Sequence, residues 1–282
     1  GLVGSEMCIR DRVSGEDGKA PKVEGAWPLA IAKTESKILK EGTGEKVDKN
    51  ATLKVNYVGV NGRTGKEFDS SYKRGTTADF PLAQVVPGFA KGLVGKHQGD
   101  RVLIMMPGSD GYDSQGGAPQ AGIMKGDSLI FVVDIVAIPL PKATGETVKP
   151  AAGLPTVKEV QGAPAVTIGK ATKPNKLVVQ PLIKGKGAAV TAHDSIDVKY
   201  RTYAWSSGEL IEDGYSGEPV TGSMNSVIPG WKKGLIGQTV GSRVMLIVPP
   251  ADAYPNGSTN PPVKKGETLI YVIDILSAQK ES

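Results

Sequence analysis

The feature that most constrains this sequence is an internal repeat, because one set of motifs is written twice, in the same order, along 282 residues. The two copies lie 140 to 142 residues apart. Solenoid repeats recur every ~20–50 residues, so this longer spacing predicts a duplicated domain. The paired blocks are VVPGFAKGLVG at 85–95 with VIPGWKKGLIG at 227–237, RVLIMMP at 101–107 with RVMLIVP at 243–249, and SLIFVVDIV at 128–136 with TLIYVIDIL at 268–276.

The positions of these blocks set the predicted domain boundaries. We place a first domain at 22–140 and a second at 160–280. The segment between them, 141–159, is rich in Pro, Lys and Ala and is predicted to be a linker, extended where proline is dense. Residues 1–12 fit neither copy and resemble a translated sequencing adapter, so we leave them out of the fold and expect the natural N-terminus to be missing.

The composition favours short strands and turns, and it excludes several chemistries. Glycine accounts for 37 residues and proline for 20, which is typical of a chain with many turns. The two histidines, His97 and His193, and the single Cys8 cannot form a Cys/His zinc cluster or a disulfide within the chain. We therefore expect an enzyme of this composition to work without a metal, a thiolate or a histidine.

The charge distribution argues against nucleic acid as a partner. Lys and Arg total 34 against 29 Asp and Glu, a net charge of +5. The basic residues are interspersed with acids, and no basic stretch carries the aromatic residues on which bases would stack. No apolar run approaches the ~18 residues that a membrane-spanning helix needs, so no such span is predicted.

Each copy is predicted to form antiparallel strands around one short helix. Apolar residues alternate through 129–135, and the segments 101–106 and 52–60 read as further strands. Pro87 suits the first turn of a helix, and Gly95 suits its end about two turns later. So short a helix gains most of its stability from packing, here against the sheet.

Several motifs in the first copy, taken together and in order, resemble those of the FKBP-type peptidyl-prolyl isomerases. They are VNYVGVNGRTGKEFDSS at 55–71, VVPGFAKGL at 85–93, MMPGSDGY at 105–112 and GDSLIFVVDI at 126–135. The resemblance covers nearly all of both copies. It implies an α+β fold of two FKBP-like domains, each an antiparallel sheet wrapped around one short helix with an apolar pocket between. It also implies isomerisation of X–Pro bonds during protein folding, without a cofactor or a covalent intermediate.

The resemblance further implies a pocket in each copy. In the first copy it implies as catalytic residues Tyr57, Phe68, Asp69, Val86, Phe89, Tyr112 and Phe131, with Val85 and Ile123 as further substrate contacts. In the second copy it implies as substrate contacts Tyr200, Ile211, Glu212, Val227, Ile228, Trp231, Tyr254, Val263 and Tyr271.

Both copies depart from the family pattern. Phe89 stands where the family usually has a tryptophan, and Ala78 stands where an aromatic residue often completes the rim. The second copy keeps Trp231 but reads LIEDG where the first reads EFDSS, so either Glu212 or Asp213 takes the acidic position. A single inward aromatic residue is more often core than pocket, so the ordered set carries the prediction. The second copy stays open between an active pocket and a decayed binding module.

These residue types suit the chemistry of the X–Pro amide. Resonance keeps that bond planar, with a barrier of about 18–20 kcal/mol. The twisted transition state loses this resonance and becomes less dipolar, so a dry aromatic pocket disfavours the planar ground state more. By family analogy, the Val86 amide and the Tyr112 hydroxyl hold substrate carbonyls, while Asp69, held by Tyr57, faces the carbonyl of the twisting bond.

The expected partners are proline-containing unfolded or extended polypeptides, with no nucleic acid and no metal, and the protein is expected to be a monomer. A second hypothesis is a non-catalytic tandem module or chaperone that gains avidity from two weak sites. Tandem FKBP-like copies without cysteine are similar to bacterial cell-envelope and secreted isomerases. We therefore predict an extracytoplasmic location, with the cytoplasm as the alternative because the natural N-terminus is missing.

Overall fold

The chain forms two compact units, one ending at Ile138 and the other beginning at Pro139. The computed structural model describes residues 13–16 and 18–281, so the predicted adapter segment 1–12 lies outside the described residues. Each unit has its own antiparallel sheet and its own apolar core. The predicted fold class, an α+β protein with two domains of this kind, is confirmed.

Unit 1 is dominated by strands. They are β1 (Val13–Ser14), β2 (Lys22–Val23), β3 (Glu35–Lys40), β4 (Thr52–Asn61), β5 (Glu67–Ser70), β6 (Ala78–Pro81), β7 (Arg101–Met106), β8 (Gly117–Ala118), β9 (Ile123–Met124) and β10 (Leu129–Ala137). Its helices are α1 (Ser71–Arg74) and α2 (Pro87–Leu93), with short 3-10 turns at Gly108–Asp110, Asp113–Gln115 and Pro119–Ala121. Six strands form one sheet in the order β3-β7-β10-β4-β5, with β6 also pairing along β4. The one-turn helix α1 adds to the single helix that the sequence predicted.

The core of unit 1 follows from the alternation of side chains along strand β10, because successive residues of a strand point to opposite faces. Phe131 and Val133 lie in the apolar cluster that includes Phe89 and Leu93 of helix α2. Ile130 and Val132 lie in a second cluster on the opposite face. All four side chains are almost fully buried, so this sheet is covered on both faces.

Helix α2 lies close against strand β7 because glycines form its contact surface. A Cβ atom added to Gly88 would come within 2.5 Å of the Met106 sulfur, and one added to Gly92 within 2.8 Å of Ile104. Pro87 occupies the first turn, as predicted, and Gly95 follows the helix with a φ of 85° that favours glycine. The helix therefore brings its first turn to the edge of a pocket.

The opposite face of the unit 1 sheet is covered by chain that precedes strand β3. Trp27 and Ile31 belong to the apolar cluster on that face. Arg101 forms an ion pair there with Asp134 at 2.7 Å, and the Tyr72 hydroxyl donates to the same carboxylate. Because the arginine is mostly buried, the carboxylate compensates a charge that would otherwise be costly.

Unit 2 repeats this plan. Its strands are β11 (Gly145–Thr147), β12 (Thr156–Val160), β13 (Ala163–Thr167), β14 (Val178–Gly185), β15 (Asp194–Ala204), β16 (Leu210–Asp213), β17 (Val220–Ser223), β18 (Arg243–Val248) and β19 (Leu269–Lys280). Its helix is α3 (Pro229–Leu235), and a 3-10 turn spans Pro250–Asp252. Seven strands form one sheet in the order β11-β14-β18-β19-β15-β16, with β17 pairing along β15.

The segment predicted as a linker, 141–159, is part of unit 2 in the structure. Strand β11 pairs with β14, and strand β12 pairs with β13 to form a hairpin. Leu154 and Val157 pack against the face of the unit 2 sheet that lies away from helix α3. The hairpin closes through Gln161 and Gly162, both with positive φ, which is the geometry of a two-residue turn between strands. The apolar residues of this segment thus have a sheet to cover, which the proline-rich composition did not suggest.

No helix in the described part of the chain is long and apolar enough to cross a membrane.

Candidate functional site

The first candidate site is a cluster of aromatic rings between helix α2 and the unit 1 sheet. The rings of Phe89 and Phe131 have centroids 4.5 Å apart, and Phe68 meets Phe131 edge to face at 5.6 Å. Phe80 lies 4.7 Å from Phe89 and 5.2 Å from Tyr57. The structure therefore brings together four aromatic residues that the sequence assigned to this pocket, Tyr57, Phe68, Phe89 and Phe131, and it adds Phe80 to them.

A hydrogen-bonded group of three polar side chains lies beside these rings. The Tyr57 hydroxyl donates to the Asp69 carboxylate, and Arg74 forms an ion pair with the other oxygen of the same carboxylate. Arg74 also donates to the Tyr57 hydroxyl oxygen at 3.2 Å. Burial, reinforced by the bond to Asp69, raises the pKa of Tyr57 to about 12. Tyr57 therefore stays protonated at neutral pH and orients the carboxylate as a donor.

The remaining predicted residues of the first site form its edge. Val85, Val86 and Tyr112 are half-buried and pack against the aromatic cluster, while Ile123 is fully buried in it. Burial and the nearby Asp69 charge raise the pKa of Tyr112, so its hydroxyl is also a neutral donor. Among the described residues, no backbone hydrogen bond is donated by the Val86 amide. Both groups are available to hold carbonyl oxygens of a bound chain.

Two residues of this site were missed by the sequence reasoning. Phe80 lies two residues after Ala78 on strand β6, and it pairs in register with buried Leu53. Side chains alternate between the two faces along the segment ADFP, so Phe80 could have been placed on the same inward face as Ala78. Arg74 has no such signal, because it reaches Asp69 through the one-turn helix α1, which was not predicted.

The second candidate site is a cavity of about 250 Å³ in unit 2. Seven of the nine predicted substrate contacts line it, and Ile211 and Val263 instead pack in the adjoining apolar cluster. The lining residues are Val198, Tyr200, Glu212, Val220, Thr221, Gly222, Ser226, Val227, Ile228, Trp231, Tyr254 and Tyr271.

Three aromatic rings form the walls and floor of this cavity. Trp231 meets Tyr200 edge to face at 4.9 Å and Tyr271 edge to face at 5.5 Å. The indole N–H of Trp231 is buried and has no hydrogen-bond partner within the described residues. As in unit 1, the amide at the residue before the helix, here Ile228, donates no backbone hydrogen bond in the described chain.

A carboxylate also lies in the wall of this cavity, and it belongs to Glu212. One oxygen accepts from the Tyr200 hydroxyl at 3.0 Å, and the other accepts from Thr202 at 2.9 Å. Asp213, the alternative for the acidic position, pairs with Arg201 at 2.9 Å instead. Neighbouring residues of a strand face opposite sides, so only Glu212 reaches the cavity. Burial and the Glu212 charge raise the pKa of Tyr200, which keeps that hydroxyl a donor.

The difference between the two pockets follows from two register positions on the sheets. Phe131 pairs with Gly59 in unit 1, whereas the corresponding Tyr271 pairs with Thr202 in unit 2. Gly59 leaves room for the Phe68 ring, because a Cβ atom there would lie 2.7 Å from that ring. In unit 2 the threonine fills this space and donates to the longer Glu212 side chain. The replacement of Phe68 and Asp69 by Ile211 and Glu212 is thus matched by the replacement of Gly59 by Thr202.

The second register position opens the cavity of unit 2. Strand β6 pairs Leu53 with Phe80, and strand β17 pairs Ile196 with Gly222 at the corresponding place. Phe80 packs its ring against Phe89, whereas Gly222 has no side chain and lines the cavity. Where unit 2 lacks the ring of Phe80, it has the larger Trp231 at the place of Phe89. The sequence analysis did not identify this difference, because the equivalence of Gly222 and Phe80 becomes visible only in the pairing of strands β17 and β6.

No group of three or more His, Cys, Asp and Glu side chains in residues 13–16 and 18–281 is arranged to hold a metal ion.

Comparisons with known proteins agree on one family. The family model described as FKBP-type peptidyl-prolyl cis-trans isomerase matches residues 43–136 and 186–276. A probable FK506-binding protein of Corynebacterium glutamicum is 32% identical over 117 residues, covering 41% of this chain and 98% of that protein. The FK506-binding protein of Streptomyces anulatus is 40% identical over 100 residues, covering 35% of this chain and 80% of that protein. The crystal structure of FkpA from Escherichia coli has 31% identity and a TM-score of 0.34, covering 37% of this chain and 48% of that one.

Proposed function

The chain belongs to the FKBP-type peptidyl-prolyl cis-trans isomerase family and is a peptidyl-prolyl isomerase, and we propose that each of its two pockets binds and isomerises proline-containing segments of extended polypeptides. One observation carries the proposal for both pockets. In each unit a tyrosine hydroxyl donates to a carboxylate beside a set of packed aromatic rings. The residues differ, Asp69 in one and Glu212 in the other, but the arrangement is the same.

The aromatic rings favour the twisted state of the substrate amide. A planar X–Pro amide is strongly dipolar, and its resonance gives a barrier of about 18–20 kcal/mol. Moving this amide from water into a dry aromatic pocket removes solvation of the dipole. The twisted state has a smaller dipole and loses less, so the pocket lowers the barrier by differential binding. Phe131 and Tyr271, both buried, supply this surface at the centre of each sheet.

Hydrogen-bonding groups at the pocket edge hold the substrate chain on either side of the proline. The unused amide N–H groups of Val86 and Ile228 are suited to donate hydrogen bonds to substrate carbonyl oxygens, and the hydroxyls of Tyr112 and Tyr254 lie at the same edges. With the neighbouring carbonyls fixed, rotation is confined to the one bond. No proton is transferred and no covalent bond breaks, so tyrosines that stay neutral are sufficient.

The test is isomerisation of short X–Pro peptides by the full chain and by variants of each pocket. We expect Phe68→Ala and Asp69→Ala to remove the contribution of the first pocket, and Glu212→Ala that of the second. Combining Asp69→Ala with Glu212→Ala then leaves little activity above the uncatalysed rate. Asp213→Asn is the matched control for unit 2, because Asp213 pairs with Arg201 and does not line the cavity. Full activity in the double variant would overturn the assignment of both sites.

The same variants distinguish the second candidate function, a non-catalytic tandem binding module, which the presence of two pockets favours. In that case peptides bind the second pocket while Glu212→Ala leaves the isomerisation rate of the full chain unchanged. An extracytoplasmic location is a further proposal, and recovering the reading frame upstream of these residues tests it through the presence or absence of a signal peptide.

A further inference from the structure

The two pockets differ in how the charge of their carboxylate is compensated. In unit 1 the Asp69 carboxylate is in an ion pair with Arg74. In unit 2 the Glu212 carboxylate accepts hydrogen bonds from two neutral hydroxyls, those of Tyr200 and Thr202. Among the described residues, no Lys, Arg or His nitrogen forms an ion pair with Glu212. The first pocket therefore presents a neutral pair, and the second presents a net negative charge.

The local fold explains why unit 2 supplies no cation. In unit 1, helix α1 follows strand β5 and carries Arg74 back to the carboxylate. In unit 2, strand β16 is followed by a loop without a helix. The nearest arginine in sequence, Arg201, pairs through two bonds of 2.9 and 3.1 Å with Asp213 on the other side of the strand.

The Glu212 charge acts on the cavity itself. Glu212 is the single charged residue among the twelve that line the cavity. Burial, together with the Glu212 charge, raises the pKa of Tyr254, which also lines the cavity. Because Glu212 is half-buried in the cavity wall, its charge is screened less by solvent than a charge on an open surface.

We propose that the second pocket selects proline segments that carry a lysine or arginine next to the proline, whereas the first pocket makes no such distinction. This inference rests on the proposed function, because it assumes that a proline segment occupies the cavity. A cation beside the proline takes the place at Glu212 that Arg74 holds at Asp69. An acidic neighbour is disfavoured for the same reason, since it would bring a second negative charge against an uncompensated carboxylate.

Trp231 gives a readout that belongs to the second pocket alone. The chain has three tryptophans, and the others, Trp27 and Trp205, pack on the sheet faces away from the pockets. The first pocket has Phe89 at the place of Trp231. Peptide titrations of the full chain, followed by tryptophan fluorescence, therefore report binding at the cavity, and Trp231→Phe verifies the source of the signal.

The experiment uses two series of short acetylated peptides, one with the variable residue before the proline and one with it after. Each series compares lysine, norleucine and glutamate. We expect the lysine peptide of at least one series to bind about threefold to fivefold more tightly than norleucine, the size of a partly exposed ion pair, and glutamate to bind more weakly. The ratio should shrink between about 0.01 M and about 1 M salt, as the screening length falls from about 30 Å to about 3 Å.

The decisive variant is Glu212→Gln, which keeps the size and an acceptor oxygen but removes the charge. We expect the lysine-to-norleucine affinity ratio to fall to about one in this variant, and to persist in the matched control Asp213→Asn. Equal affinities for lysine and norleucine peptides in both series, or a ratio that survives Glu212→Gln, would overturn the inference while leaving the isomerase function intact. If no proline peptide of any charge alters Trp231 fluorescence, the inference falls together with the assignment of the second pocket.

Discussion

Replacing Gly59 by alanine tests whether the first pocket is packed as tightly as its geometry indicates. The added Cβ atom would lie 2.7 Å from the Phe68 ring and 2.8 Å from the Phe131 ring. Carbon atoms in favourable contact are about 3.5–4.0 Å apart, so each of the two rings must move away from the new methyl group by roughly 1 Å. Overpacking of this kind costs about 1–3 kcal/mol. We expect a loss of that size in the stability of unit 1.

The assay is urea unfolding monitored by hydrogen exchange and mass spectrometry, which reports the unfolding of unit 1 and of unit 2 separately. The matched control is Gly217→Ala, because no atom lies within 4 Å of a Cβ atom placed at Gly217 and its φ is not positive. That control should be neutral or slightly stabilising, since alanine restricts the unfolded chain. A Gly59→Ala variant as stable as the parent chain would refute the packing of Phe68 against Phe131.

A double substitution locates the cost. The new Cβ atom approaches Phe68 slightly more closely than Phe131. Gly59→Ala should therefore lower the free energy of unfolding less in a Phe68→Leu background than in the parent chain. Strictly additive losses would show that the Phe68 ring is not what resists the new methyl group.

Three further outcomes are expected. The pKa of Tyr57 is raised to about 12, from about 10 in the unfolded chain. The stability that this hydroxyl contributes is therefore present below pH 10 and is lost as the pH rises towards 12. In Tyr57→Phe, the free energy of unfolding should fall less steeply between pH 10 and pH 12. Gly222→Phe should weaken peptide binding at Trp231 without unfolding unit 2, since the nearest atom to a Cβ atom there is at an ordinary 3.5 Å; unchanged affinity would contradict the position of Gly222 in the cavity wall. Asp274→Asn should lower the stability of unit 2 by about 3–5 kcal/mol in thermal unfolding, because it removes the carboxylate charge 2.7 Å from the mostly buried Arg243, whose other ion pair is longer, at 3.7 Å to the exposed Glu159. A loss below about 1 kcal/mol would contradict this.

Much of the fold was predictable because short-range patterns determined it. The alternation through strand β10 and the proline at the start of helix α2 are local signals, and both elements form where they were predicted. The repeat supplied the second unit without separate evidence. The segment 141–159 was read differently, since its composition suggests a linker and its apolar residues gain meaning only when a sheet face is present to receive them.

The candidate sites divide in the same way. Rings such as Phe131 lie at fixed places in a repeated motif, so a sequence alone could propose them. Phe80 and Arg74 belong to the first site through contacts made by neighbouring segments. Alternation along strand β6 places Phe80 inward but does not show which ring it meets, and no spacing in the chain identifies Arg74. Which of Glu212 and Asp213 faces the cavity depends on the register between strands β15 and β16.

The sequence by itself determined that one domain is duplicated and that each copy is an antiparallel sheet around a short helix. These properties follow from the repeated motifs and from the periodicity of apolar residues, both of which can be read without any long-range contact. Tertiary structure alone decided the character of each pocket. Packing across strands sets Gly59 against Phe68 and Thr202 against Glu212, and a folded-back Arg74 neutralises one carboxylate while the other keeps its charge. Such differences arise from residues far apart in the chain, because only the folded sheet brings them within contact distance.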